Sequence, residues 1–236
     1  CNSCSSGGNE GSESDDNSVD QEKLQKQKIV KDVKKAFYAL PSPIETALLI
    51  KRAGAKYNEE LLNPSENASN YNTNRSLSLM LGVYGADLSY ASIFDQTQTV
   101  MEYMSASKKI ADQLGLLSTI DKAIIKRLEN NVNDRDSIIR IISETFMNSN
   151  SQLQDDNRPA IAAMVLAGGW IEGLYLATSV CQSVQQKELI QRIVDQKLSF
   201  NEMIRLLETN NDNPDVAALI SDISGIKAAF DAILFE

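Results

Sequence analysis

Residues 160–181 read AIAAMVLAGGWIEGLYLATSVC, the most apolar stretch of the chain, interrupted by a single carboxylate at Glu172. By length alone this stretch could cross a bilayer as a helix. However, it is rich in alanine and glycine, and Glu172 lies near its middle. Small residues such as Gly168 and Gly169 let a neighbouring backbone approach closely. We therefore expect a central helix that is buried on two sides.

Helical periodicity continues on both sides of this stretch. Apolar residues recur at spacings of three and four almost throughout, and strand patterns are scarce. Hydrophobic residues make up 42% of the chain and aromatic residues only 6%, which is typical of aliphatic, alanine-rich helical packing. We predict an all-α protein of about ten helices.

Two helices are predicted at the N-terminal side, over residues 19–64. The first covers residues 19–40, with an apolar stripe made of Leu24, Val30, Val33 and Phe37. The second begins with a capping box of Ser42 and Glu45 and ends near Pro64. These helices precede the larger, repetitive part of the chain.

The rest of the chain reads as two copies of one unit, residues 74–152 and 157–236. Six short matches recur in the same order, 79 to 85 residues apart; the helix-start box Ser118-x-x-Asp121, for example, recurs as Ser199-x-x-Glu202. We predict an internal duplication, with two four-helix units that pack as one domain. The predicted helices are 74–94, 97–114, 118–131 and 134–152 in the first unit, and 157–182, 184–197, 199–210 and 213–235 in the second.

The chain contains no histidine, and this absence excludes several chemistries. Histidine-based acid–base catalysis, Ser-His-Asp triads and most zinc or di-iron sites need that side chain. The net charge of −9 disfavours nucleic acid as a partner, because phosphate-binding surfaces concentrate lysine and arginine. We therefore predict no catalytic residue, no metal centre and no cofactor.

Each predicted unit places an acid and a tyrosine on one helix face. Asp87 and Tyr90 lie three residues apart in the first unit, and Glu172 and Tyr175 match them in the second. If the units pack about a pseudo-twofold axis, the two acids face one another in the core. The full candidate set consists of Asp87, Tyr90, Glu172, Tyr175, Arg75 and Arg158.

Two interpretations of this set remain open. The six residues could line a site for a small ligand or a cation. Alternatively, they form a structural polar core in which each acid is satisfied internally, because an unpartnered carboxylate in an apolar helix is costly. Duplication favours the structural interpretation, since polar contacts that specify a fold are duplicated along with it.

The first residues of the chain are strongly polar. Cys1 is followed by residues 2–17, which contain no aliphatic or aromatic side chain. This combination resembles the mature N-terminus of a bacterial lipoprotein of the Bacteroidetes type. The resemblance implies acyl chains on Cys1, a disordered tether over residues 1–18 and anchoring in the outer membrane, facing the periplasm or the cell surface. The tripeptide 136–138, Asp-Ser-Ile, resembles a Bacteroidetes O-glycosylation motif at Ser137, although it also suits a helix start.

These observations lead to two main hypotheses on function. The first is a non-catalytic, membrane-anchored lipoprotein with a binding or scaffolding role, an accessory subunit that meets a protein partner in an envelope complex. The alternative is a lipoprotein that binds a small ligand or a cation in a pocket between the repeat halves. An enzyme that uses carboxylates alone is the least favoured class.

Overall fold

The computed structural model describes residues 40, 42–116, 122–131, 134–156, 158–182 and 186–233. These residues form nine α-helices and two short 3₁₀ helices and contain no β-strand, which confirms the all-α prediction for this part of the chain. The predicted tether and, apart from Leu40, the predicted helix 19–40 lie outside it. The helices are α1 (Pro43–Arg52), α2 (Asn74–Ile93), α3 (Thr97–Gln113), α4 (Lys122–Asn130), α5 (Arg135–Asp155), α6 (Pro159–Cys181), α7 (Lys187–Glu208), α8 (Pro214–Asp222) and α9 (Ser224–Asp231).

Helix α6, formed by the most apolar stretch, runs through the interior. Every residue from Ile161 to Trp170 is buried, and α6 packs against α1, α2, α5 and α7. Among the described helices, α6 alone is long and apolar enough to cross a membrane, and 78% of its most apolar window is buried inside the protein. The predicted two-sided burial of this helix is therefore confirmed.

Helices α2 and α6 cross with their backbones in contact. A Cβ atom built on Gly82 would lie 2.0 Å from the Val165 carbonyl oxygen, and one built on Gly168 would lie 2.1 Å from the Leu79 carbonyl oxygen. Such distances are far below any van der Waals contact, so neither position has room for a side chain. The crossing joins the first helices of the two predicted units.

Helix α1 begins as predicted but ends much earlier. The Ser42 hydroxyl accepts a hydrogen bond from the Glu45 N–H (3.2 Å), and the Glu45 carboxylate accepts one from the Ser42 N–H (2.8 Å), which confirms the capping box. Gly54 follows the helix with a φ of +84°, a left-handed conformation that ends helices and suits glycine. The expected continuation towards Pro64 is therefore wrong. Residues 53–73, called here the connecting segment, instead contain 3₁₀ helices at Glu59–Leu61 and Ser65–Ser69.

The second predicted unit has different helix boundaries from those expected. The predicted helices 184–197 and 199–210 form one continuous helix, α7, so the Ser199 box lies inside a helix and does not start one. No glycine or proline interrupts α7, and its buried stripe continues through Phe200, Met203 and Leu207. The predicted helix 213–235 is instead divided into α8 and α9 at Ile223. The duplication itself stays a prediction.

Helix α5 starts at the proposed glycosylation tripeptide. The Ser137 N–H and hydroxyl both donate to the Asp134 carboxylate, at 3.2 and 2.7 Å. These bonds satisfy an N–H group of the first helical turn, as capping side chains do. The helix-start interpretation of Ser137 is therefore confirmed, and its glycosylation stays a prediction.

Candidate functional site

Asp87 on α2 and Glu172 on α6 meet near the crossing of the two helices; we call these two residues the acid pair. Asp87 is fully buried, Glu172 is 7% exposed, and the two carboxyl groups interact directly. Asp87 Oδ1 and Glu172 Oε1 are both buried and have no hydrogen-bond donor. Two ionised carboxylates cannot donate to one another, so their direct contact requires a proton on at least one of them. The structure thus places the two predicted acids together.

Burial raises the pKa of both members of the acid pair. Desolvation is the largest cause for each residue, and for Asp87 the negative charge of Glu172 raises the pKa further. Hydrogen bonds from Asn63 act in the opposite direction, because they stabilise the ionised form. Since the two groups interact, they titrate as a pair. The pair therefore keeps a proton at pH values where exposed carboxyl groups have lost theirs.

The connecting segment covers the acid pair and supplies its donors. The Asn63 N–H and side-chain amide donate to Asp87 Oδ2, at 3.1 and 3.4 Å. Two tyrosine hydroxyls hold this part of the backbone, because Tyr103 donates to the Asn63 carbonyl (2.5 Å) and Tyr84 to the Pro64 carbonyl (2.8 Å). The acid pair is thus part of the contact between a loop and the helical core.

The two predicted tyrosines, Tyr90 and Tyr175, do not join the acid pair and lie in different environments from one another. The buried Tyr90 hydroxyl accepts a hydrogen bond from the Asn58 N–H (3.2 Å), so Tyr90 binds the connecting segment and makes no hydrogen bond to Asp87. Tyr175 is 47% exposed, and its expected place in the core is wrong. A separation of three residues turns a side chain by about 60° around the helix, enough to carry Tyr175 from the α2 side to the surface.

Both predicted arginines lie far from the acid pair. Arg75, twelve residues before Asp87 and thus about 18 Å away along α2, forms an ion pair with Asp222. Arg158 precedes α6 and donates to the Leu114 carbonyl (2.5 Å) just after α3. Their expected place beside the acids is therefore wrong. Each arginine instead makes a polar contact between elements that are distant in sequence.

A cavity of about 340 Å³ lies between α2, α3 and α5, closed at its sides by α1 and α6; we call it the α2–α3–α5 cavity. Buried aliphatic side chains line its interior, among them Leu81, Leu88, Met104, Leu153 and Leu166. The exposed lining residues Ser42, Glu45 and Met147 mark its mouth. Neither member of the acid pair lines this cavity, which is therefore not the expected pocket centred on the two acids.

Sequence reasoning missed the cavity, although a signal for it exists. Small and hydroxyl-bearing residues lie on helix faces that turn inward, where large aliphatic residues would fill the core; examples are Gly85, Ser89 and Ser149.

In the described part of the chain, no group of three or more acidic or cysteine side chains is placed to hold a metal ion. Comparison with known proteins adds no identity, because no protein-family model, curated protein or solved structure matches the chain.

Proposed function

We propose that this protein is a non-catalytic binding protein that holds a small, mostly apolar ligand in the α2–α3–α5 cavity. The cavity itself carries the proposal. Its volume of about 340 Å³ lies in the range of small-molecule sites, roughly 300–1,000 Å³. The cavity opens to solvent at its mouth, but its interior is lined by buried aliphatic side chains. An apolar concavity of this kind is the usual form of a small-molecule site.

The polar groups around the cavity favour an uncharged ligand. Among the described lining residues only Glu45 is charged, and it lies at the mouth. Its carboxylate already accepts a hydrogen bond from the Ser42 N–H at the N-terminus of α1. A charged group placed deeper would lose its hydration without gaining a counter-charge, at a cost of several kcal/mol or more. The buried part of the ligand is therefore neutral.

Filling part of the cavity should weaken binding strongly. A Cβ atom on Gly85 meets no other atom within 4 Å, so the side chain of a Gly85→Leu variant has room to enter the cavity without displacing its walls. We expect the wild-type protein to enhance the fluorescence of the neutral probe N-phenyl-1-naphthylamine by binding it. The variant should bind the probe about tenfold more weakly or worse. Fluorescence titration measures both affinities.

The matched control for this experiment is Gly225→Leu. Gly225 is also a helical glycine with open space around it, but it is exposed on α9 and does not line the cavity. This variant should bind the probe as the wild type does. A wild-type protein that leaves the probe fluorescence unchanged, or a Gly85→Leu variant with undiminished affinity, would contradict the proposed function.

A location at the cell envelope is the second part of the proposal. It is supported by the resemblance of residues 1–18 to a lipoprotein tether. In the cells that make the protein, a Cys1→Ala substitution should move it from the membrane pellet to the soluble fraction, because the acyl chains would have no attachment point. The control is Cys4→Ala, which removes the other cysteine of the same segment and should leave the protein in the pellet. Retention of the Cys1 variant in the membrane fraction would refute the anchor.

A role as an accessory subunit of an envelope complex is a second candidate function. The outer surface of α7 exposes Ile190 and Leu198, the latter to 74%. The two side chains are eight residues apart, about 80° around the helix and about 12 Å along it. Large aliphatic side chains exposed on one helix are candidate contact points for a protein partner. Co-purification from detergent-solubilised membranes, compared between the wild type and a Leu198→Lys variant, tests this candidate.

A further inference from the structure

The α2–α3–α5 cavity is long. On α5 its lining residues run from Ile142 to Leu153, which are about 16 Å apart along the helix axis. On α2 they run from Leu81 to Ser89, about 12 Å apart. A volume of about 340 Å³ distributed over such a length makes the chamber narrow. Its shape therefore suits an extended aliphatic chain better than a compact, rounded ligand.

The buried lining side chains that the structure describes offer the cavity no free hydrogen-bond donor. The hydroxyls of Ser89, Thr145 and Ser149 donate to the carbonyls four residues earlier in their own helices, at 2.7, 2.7 and 3.0 Å. The Ser107 hydroxyl oxygen is enclosed by protein atoms, so a ligand in the cavity cannot reach it. A polar acceptor of the ligand placed in the interior would therefore lose its bonds to water and find no donor, which is costly.

Polar lining residues lie instead where the cavity opens to solvent. Ser42 and Glu45 are exposed, and Ser143 on α5 is half-buried. Water reaches this region, so a polar group held there keeps its hydrogen bonds, directly or through a bridging water. The cavity thus combines a long apolar interior with a polar mouth.

We infer that the ligand is an amphiphile with a single aliphatic chain, which extends along α5 while its polar head group stays at the mouth. This inference rests on the proposed function and adds to it the chemical class of the ligand. The length and the aliphatic lining of the interior account for the chain. The volume, at the lower end of the range for small-molecule sites, accounts for its being single. The lack of interior donors accounts for the position of the head group.

Two isomeric ketones test the inference. The carbonyl lies near one end of the chain in 2-undecanone and at its middle in 6-undecanone, so only the first isomer can keep its carbonyl at the mouth. Displacement of N-phenyl-1-naphthylamine from the wild-type protein gives the ratio of the two affinities. Dividing by the ratio of octanol–water partition coefficients corrects for hydrophobicity, because octanol can donate to either carbonyl. The corrected ratio should favour 2-undecanone about tenfold, the effect of one buried acceptor left unpaired.

The variants Gly85→Leu and Gly225→Leu show whether the ketones occupy this cavity. Both ketones should bind Gly85→Leu about tenfold more weakly or worse, and should bind Gly225→Leu as they bind the wild type. A corrected ratio near one, or ketones that do not displace the bound probe, overturns the inference while the proposed function stands. A Gly85→Leu variant that loses the probe but keeps its affinity for 2-undecanone has the same meaning. If the wild type binds neither the ketones nor the probe, the proposed function fails as well.

Discussion

Gly168→Ala should destabilise the protein by about 4 kcal/mol or more, a large part of the roughly 5–15 kcal/mol that stabilises an ordinary domain. The added methyl group would have to occupy the position of the Leu79 carbonyl, 2.1 Å from the new Cβ. That obstacle is backbone, which cannot rotate away as the end of a flexible side chain can. Helices α2 and α6 would therefore have to separate, and the buried contacts between them would be lost. Urea unfolding followed by far-UV circular dichroism measures the loss.

Gly85→Ala, on the same helix as Gly82, is the internal control for this result. It replaces a glycine that also lies inside a helix, but the new Cβ meets no atom within 4 Å. Since glycine in a helix is less favourable than alanine, this variant should be more stable than the wild type by about 0.5–1 kcal/mol. Gly82→Ala, which meets the Val165 carbonyl at 2.0 Å, should behave like Gly168→Ala. Equal small effects at all three positions would show that the close crossing of α2 and α6 is wrong.

Asp87→Asn should flatten the dependence of stability on pH. In the wild type the folded-state pKa of both paired acids lies above the unfolded value, so the folded protein holds protons that the unfolded chain releases. The stability that depends on these protons is fully present below the unfolded pKa values near 4, and it falls as the pH rises towards the folded pKa values. One proton changes the free energy of unfolding by about 1.4 kcal/mol per pH unit.

Between pH 5 and pH 7 the wild type should therefore lose about 3 kcal/mol more than the Asp87→Asn variant, which has one titrating group fewer. Urea unfolding at the two pH values gives the comparison. Glu129→Gln removes an exposed carboxylate from α4 and serves as the control, with a pH profile parallel to that of the wild type. Parallel profiles for the wild type and Asp87→Asn would mean that the acid pair is ionised in the folded protein.

The acid pair was predictable because the cost of burying a carboxylate without a partner can be recognised from the sequence. A single carboxylate in an apolar helix needs a partner, and Asp87 and Glu172 occupy matching positions in two such helices. The donor Asn63 was not predictable, because it belongs to a loop whose path depends on tyrosine hydroxyls from α2 and α3. The arginines were assigned wrongly for a related reason. Proximity along a helix does not determine which other elements cross it.

The fold class and most helix starts were also predictable, whereas several helix ends were not. Capping at Ser42 is a local signal, and the structure follows it. The local signal at Ser199 fails because a longer-range pattern outweighs it: burial of Phe200 and Met203 is worth more than a cap, which contributes about 1 kcal/mol. Gly54 is the opposite case, a helix stop that was present in the sequence but was not recognised as one.

The backbone contact between α2 and α6 also determines which parts of the protein can open independently. Neither helix can detach without exposing the other, so their amide protons should exchange with solvent only when the whole protein unfolds. Helices α4, α8 and α9 are short and bury few side chains, for example Leu128 in α4 and Phe230 in α9. Detaching one of them therefore costs less free energy than unfolding the whole protein. Amide hydrogen exchange should therefore be slowest in the two central helices and faster in the outer helices.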